Sequence, residues 1–191
     1  TSGLLLHVAG GNNVPMFSAF TDGDEIALSP GDALIAMLTV LGWDTAAIKT
    51  GAKGDPKMSG GKTTGNPTGP LGQLGAVIPL GRSLFETLLL NVPLVSTSPG
   101  DAPSWEYDLE PSWEIRQPVG MMEWLTWSSR RIRLVRDERS GDVTGATVAA
   151  GDRVLFTPML EPHTRWRITK GDEVALRPLR WRPGTQAWRG L

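Results

Sequence analysis

The sequence predicts an α+β protein, with helices mixed into its first half, a mainly antiparallel β second half and a long glycine-rich loop between them. Three observations carry this. Two early segments join a serine cap to apolar residues at helical spacing. Nine of the 31 residues from 51 to 81 are glycine, so ordering that stretch costs much backbone entropy. Short alternating runs punctuated by turn residues fill the second half.

Taken in order, residues 3–9 (GLLLHVA) read as a short strand, broken by Gly10 to Asn13. Ser29-Pro30-Gly31-Asp32 sets a capping hydroxyl before a proline at the first helical position, with Asp32 at the positive helix end. Ala33, Leu34, Met37, Leu38 and Leu41 follow as a core face, and Gly42 can stop the helix. Trp43 to Ile48 add a short helical turn. Residues 51–81 carry prolines at 56, 67, 70 and 79, and Lys53, Lys57 and Lys62 face one acid, Asp55. They read as a loop ordered only if something holds it. Ala76 to Pro79 form a short strand at its end.

Ser83-Leu84-Phe85-Glu86 is a capping box opening a second helix, with Leu84, Leu88 and Asn91 on one face and Phe85 and Leu89 on another. Pro93 ends it. Residues 96–112 read as a connector pinned by Trp105 and Trp113. A helical turn from Met121 to Trp124 precedes a strand with Ile132 and Leu134 on one side and Arg131, Arg133 and Val135 on the other. Gly141-Asp142 turns the chain. Strands at 143–149, 153–157, 164–169 and 173–180 follow, with Lys170-Gly171-Asp172 as a hairpin turn.

Composition removes several functions. There is no cysteine, so disulfides, thiolate nucleophiles and cysteine-ligated metals are excluded. His7 and His163 are the only histidines, and no cofactor is expected. No apolar run is long enough to span a membrane, and a cytoplasmic location is expected. The net charge of -1 argues against wrapping long duplex DNA unaided. It also hides a gradient: residues 1–50 hold five acids and one base, Lys49, whereas 151–191 hold eight bases and four acids. A local patch can therefore bind an anion.

Gly60-Gly61-Lys62-Thr63 invites a phosphate-loop reading, but position 56, where that signature needs glycine, is Pro56. No strand leads in and no helix follows. The lysines and glycines of this stretch read either as a contact for a nucleic-acid backbone or as a plain surface loop. Leu71-Gly72-Gln73-Leu74-Gly75 reads as a tight turn or as a close backbone approach to a partner such as a minor groove. Arg130, Arg131, Arg133, Arg136 and Arg139 form a solvated strand face or a polyanion patch. Trp127 beside them reads as core rather than as a base-stacking ring. In the tail, Arg165, Arg167, Lys170, Arg177, Arg180, Arg182 and Arg189 interleave with Trp166, Trp181 and Trp188, a pattern suited to nucleic acid or an acidic protein partner. No paired carboxylates or hydrolase or kinase motifs occur, His7 reads as a near-core histidine, and no enzymatic activity is expected.

Four strings carry a resemblance: Asp44 to Gly51 (DTAAIKTG), Pro67 to Gly75 (PTGPLGQLG), Gly81 to Asn91 (GRSLFETLLLN) and Gly120 to Leu134 (GMMEWLTWSSRRIRL). Together they resemble the Cse1 or CasA family, the large subunit of the type I-E CRISPR surveillance complex, Cascade. The resemblance implies a non-catalytic subunit of an antiviral, RNA-guided complex. Such a subunit sits at the 5′ handle of the guide RNA and reads the short target-adjacent motif of double-stranded DNA from the minor groove. It also contacts other Cascade subunits and recruits the Cas3 helicase–nuclease. By the same resemblance, the loop that meets the guide handle corresponds to about residues 52–66, with Lys53, Lys57 and Lys62. The family's glycine loop falls at Gly72, Gln73, Leu74 and Gly75. Its minor-groove lysine corresponds to Lys170, with Arg167 as rival. The chain would then be a partial N-terminal domain, helical and looped over 1–95 and β-rich over 113–191, with the family's C-terminal four-helix bundle beyond Leu191. The alternative is a generic RNA-binding or protein-docking module that uses the basic C-terminal segment.

Overall fold

Helix α1 (Pro30–Trp43) begins where the serine cap predicts. Ser29 Oγ accepts the Asp32 amide at 3.2 Å and donates to the Asp32 carboxylate at 2.7 Å. The computed structural model describes residues 3–5, 7–8, 19–20, 24–51, 54–94, 98–108, 113–157, 160–169, 175–182 and 184. The buried face of α1 is Ala33, Val40 and Leu41, whereas Leu34 and Leu38 are exposed, contrary to the predicted stripe. The helix runs one residue past Gly42, where a Cβ would lie 3.0 Å from Leu71 Cδ1. A Cβ on Gly69 would lie 2.5 Å from the Gly42 carbonyl, so these two backbones touch.

The segment after α1 is a strand, not a helical turn. β1 (Ala47–Thr50), β2 (Met58–Ser59) and β3 (Lys62–Asn66) form an antiparallel sheet in the order β1-β3-β2. The expected long loop is therefore largely folded. Gly60 and Gly61, at φ 58° and 76°, supply the left-handed turn between β2 and β3. Thr63 and Asn66 are buried and anchor the sheet: Thr63 donates to Asp55 at 2.6 Å and Asn66 to the Ala47 carbonyl at 3.1 Å. Glycine-rich composition registers the turns but not these distant partners. A 3-10 turn follows at Pro70–Gln73. Ala76 makes one bridge, to Thr164, instead of the expected strand.

Helix α2 (Leu84–Asn91) has its predicted cap, Ser83 Oγ accepting the Glu86 amide at 3.2 Å. The Glu86 carboxylate reaches back to the Arg82 amide at 2.6 Å, one residue before the cap. Leu84, Phe85, Leu88 and Leu89 are all exposed. In the connector Trp105 is exposed, so it is not the anchor. Polar groups do that work: the Ser104 amide donates to Thr126 Oγ1 at 2.8 Å, and the Asp101 carboxylate accepts the Met122 and Glu123 amides at the start of α3 (Met121–Leu125).

β5 (Arg130–Arg136) and β6 (Val143–Ala150) form the longest hairpin, with Ile132 opposite Val148. β8 (Trp166–Thr169) and β9 (Ala175–Pro178) form a second antiparallel pair. Residues 170–172, the predicted turn between them, lie outside the described residues. One pair departs from the antiparallel expectation: β4 (Ile115–Arg116) runs parallel to β7 (Arg153–Val154), which is shorter than the predicted strand over 153–157. The core gathers Leu4, Val8, Ala33, Val40, Leu41, Trp124, Trp127, Val143 and Ala150. Among residues 3–9, those described form a turn rather than a strand, closed by the Val8 amide on the Leu5 carbonyl at 3.0 Å. That turn points Leu4 and Val8 inward and leaves His7 exposed, correcting its near-core reading.

Candidate nucleic-acid interface

Two of the five arginines of the β5–β6 hairpin, Arg130 and Arg131, are internal fasteners. Arg130 is buried, pairs with Asp44 at 2.6 Å, and donates to the carbonyls of Ser129, Thr45 and Pro67 at 2.7, 3.1 and 2.9 Å. It thus ties both roots of the β1–β3 sheet to β5. Asp44 also takes Lys49 at 2.8 Å. A second network surrounds buried Asp152, which pairs with Arg116 and Arg131, both at 2.7 Å. Arg116 also pairs with buried Glu123 at 2.6 Å and lies 4.3 Å above the Trp127 ring. Burial works to lower the Arg116 guanidinium pKa, but Glu123 and Asp152 raise it above its ordinary value. Trp127 is buried with its indole N–H on the Asp152 carbonyl at 3.2 Å, so it is core and closed to a base. Arg133, Arg136 and Arg139 remain exposed; Arg136 donates to the Gly141 carbonyl at 2.8 Å.

The lysine-bearing hairpin has a fixed base and an open tip. Asp55 is buried at its base, accepting the Lys57 amide at 2.9 Å, the Thr63 hydroxyl at 2.6 Å and Arg153 at 3.1 Å. Burial works to raise the Asp55 carboxyl, but these three donors outweigh it and hold the pKa below the ordinary carboxylate range. Lys57 and Lys62 are exposed, as is the Gly60-Gly61 tip. Lys53 lies outside the described residues.

The glycine turn is built differently. Gln73 donates to the Thr68 carbonyl at 2.6 Å, and the basic tail braces the rest: Arg180 donates to the Gly72 carbonyl at 2.9 Å and the Trp181 indole to the Gly75 carbonyl at 2.6 Å. A Cβ on Gly75 would overlap the Leu179 carbonyl, so glycine is required there by internal packing. Gln73 and Arg167 line one groove of about 480 Å³, together with Arg177, Arg180, Trp181 and Arg182. Arg167 and Arg177 face each other directly across β8–β9, a like-charge pair that is unfavourable unless an anion lies between or over it. None of these arginines has an acidic partner among the described residues. Gly72, Leu74 and Gly75 line the neighbouring groove.

The structure thus joins Gly72, Gln73, Leu74, Gly75 and Arg167 in one region. Lys62 lies on the separate β1–β3–β2 sheet, and Lys57 in the turn just before β2. Lys170 falls outside the described residues. Arg177, Arg180 and Arg182 complete the basic groove, and the arginine–tryptophan interleaving of the tail was their only signal in the sequence. Among the described residues no cluster of three histidine, aspartate or glutamate side chains could hold a metal. No helix there is long and apolar enough to cross a membrane.

Residues 1–191 match the family model for CRISPR-associated protein Cse1. Among solved structures, Acidimicrobium ferrooxidans Cse1 is similar at 40% identity over 90% of this chain, with a TM-score of 0.67. Thermobifida fusca Cse1 is similar at 30% identity over 91%, with a TM-score of 0.68. A chain of a CRISPR RNA-guided surveillance complex in a pre-nicking state is similar at 26% identity over 90%, with a TM-score of 0.61. The chain spans 36%, 35% and 34% of the lengths of these three relatives. No curated protein sequence matches it.

Proposed function

We propose, from the premise that this chain belongs to the CRISPR-associated Cse1 family, that it is a non-catalytic, nucleic-acid-contacting part of the large subunit of a type I-E Cascade complex. The observation that carries this reading is the groove where Arg167, Arg177, Arg180 and Arg182 meet the Gly72–Gly75 turn with no acidic partner among the described residues. Arginines on a phosphate backbone position a duplex, and a glycine turn lets main chain approach a minor-groove floor whose readout is degenerate. In this reading the turn and Gln73 meet the target-adjacent motif of double-stranded DNA, with Arg167 and Lys170 beside it, while base pairing to the guide reads the remaining sequence. Lys57 and Lys62 of the hairpin, together with Lys53, meet the 5′ handle of the guide RNA. The fixed base of that hairpin favours this role, because a pre-ordered tip loses less entropy on binding. The assembled complex then engages the Cas3 helicase–nuclease.

The test is assembly of Lys57→Ala/Lys62→Ala onto the guide-RNA complex at several salt concentrations. Assembly should weaken for every target sequence. The logarithmic salt slope should fall by about 0.7 for each single-strand phosphate that a lysine no longer neutralises. Unchanged assembly removes the hairpin from the interface. Crosslinks confined to residues 165–189 would favour the module that uses only the basic segment, a reading the arginine groove also supports.

A further inference from the structure

Beside the arginine groove lies a second one, of about 700 Å³, within the usual range of ligand clefts, roughly 300–1,000 Å³. The two share Arg180 and Trp181, so they are adjacent. Their chemistry differs. The first is lined by arginines. The second is mainly apolar, walled by Trp43, Leu71, Leu74 and Ile78, with Glu161 and His163 as its polar lining beside Asn91 and the shared Arg180. Trp43, at the end of α1, is 53% exposed, and Ile78 is 61% exposed. The Trp181 indole is held by its N–H on the Gly75 carbonyl at 2.6 Å, which fixes the ring before any ligand arrives.

A cationic groove beside an apolar one walled by indoles matches a ligand that is anionic at one end and flat and aromatic at the other. We propose that this second groove receives one unstacked nucleobase of a single strand whose neighbouring phosphates lie on Arg167, Arg177, Arg180 and Arg182. Charge complementarity selects the occupant. The four arginines lack acidic partners among the described residues, and Arg167 and Arg177 sit directly opposite each other. A nucleic-acid strand brings one negative charge per nucleotide to that line, together with a ring for each indole to stack upon. Base–indole stacking tolerates any base, so the groove grips a strand without reading its sequence. The inference rests on the nucleic-acid reading above and adds a site for a displaced base to it.

The experiment is fluorescence anisotropy of the full chain with two probes, a labelled thymidine hexamer and the same hexamer with its two central bases removed. The intact hexamer should bind about tenfold tighter than the abasic one. In Trp43→Ala that difference should shrink at least threefold, while the affinity for the abasic hexamer stays the same. Trp181→Phe, which keeps a ring but loses the Gly75 bond, should give an intermediate difference. Equal affinities for the two hexamers would overturn the proposal, as would a difference that Trp43→Ala leaves intact. Displacement of both hexamers by an acidic, tryptophan-containing peptide that binds more tightly than either would also overturn it and give the groove to a protein partner. If duplex DNA carrying a target-adjacent motif fails to bind wild-type complex, the wider reading fails. If the duplex binds and the hexamers are not distinguished, only the base groove fails.

Discussion

Arg116, Arg130, Arg131 and Arg153, on β4, β5 and β7, and the four arginines of the groove beside β8 and β9 are the same residue put to opposite uses. Arg130 has 1% of its side chain exposed and is matched to Asp44 and three carbonyls. Arg116, Arg131 and Arg153 are likewise spent on Asp152, Glu123 and Asp55. Arg167, Arg177, Arg180 and Arg182 line a groove without an acid among the described residues. A basic run in a sequence is therefore no measure of anion binding. What counts is whether the fold brings carboxylates to it, because a paired guanidinium has little potential left for a phosphate.

The sharpest way to break this contrast is Arg130→Ala. It leaves Asp44 buried with only Lys49 and frees the carbonyls of Thr45 and Pro67. Unfolding in urea should show a loss of about 3–5 kcal/mol, as when one partner of a buried ion pair is removed. A loss below about 1 kcal/mol would mean that Arg130 is no more a fastener than the groove arginines.

Acid should loosen the lysine hairpin next. The folded Asp55 carboxyl lies below its unfolded value of about 3.9, so its stabilisation is complete above that pH and is lost as pH falls through the folded pKa. The protection of the Lys57 and Thr63 amides against hydrogen exchange, relative to their intrinsic rates, should fall below about pH 4. Asp55→Asn should show fast exchange already at neutral pH, with a cost of roughly 1–3 kcal/mol for the broken charged hydrogen bonds. Asp137, also held low by the Ser140 and Arg139 amides, titrates in the β5–β6 turn, so the readout must be local to the hairpin.

The smallest effect sharpens the contrast most, because stability and binding should move in opposite directions. Arg177→Glu replaces the cross-strand arginine pair with Arg167 by an ion pair and should stabilise the fold by about 0.2–1 kcal/mol. It should weaken DNA binding and lower its salt slope. A variant that loses stability, or binds DNA unchanged, would put the groove arginines in the same class as Arg130.

The parts legible in the sequence were those written within a few residues. Ser29 with Asp32 and Ser83 with Glu86 are three residues apart, and both helices start there. The β5–β6 hairpin follows from alternation and a turn, and Trp127 read correctly as core. The β1–β3–β2 sheet did not show itself, because its supports come from far along the chain: Arg153 to Asp55 spans 98 residues and Arg130 to Asp44 spans 86. The connector failed for a related reason. Trp105 looks like an anchor by size, yet Asp101 and Ser104 hold the segment through hydrogen bonds to α3 and Thr126.

The sequence by itself determined the α+β class, the two capped helices, the absence of thiol chemistry and the strings that mark the family. Those depend on local hydrogen bonds, alternation and residue identity, all present before the chain folds. The tertiary structure decided which basic residues are spent and which lack an acidic partner among the described residues. That choice depends on distances between segments about a hundred residues apart, and on burial that makes an unpaired charge costly in one place and tolerable in another.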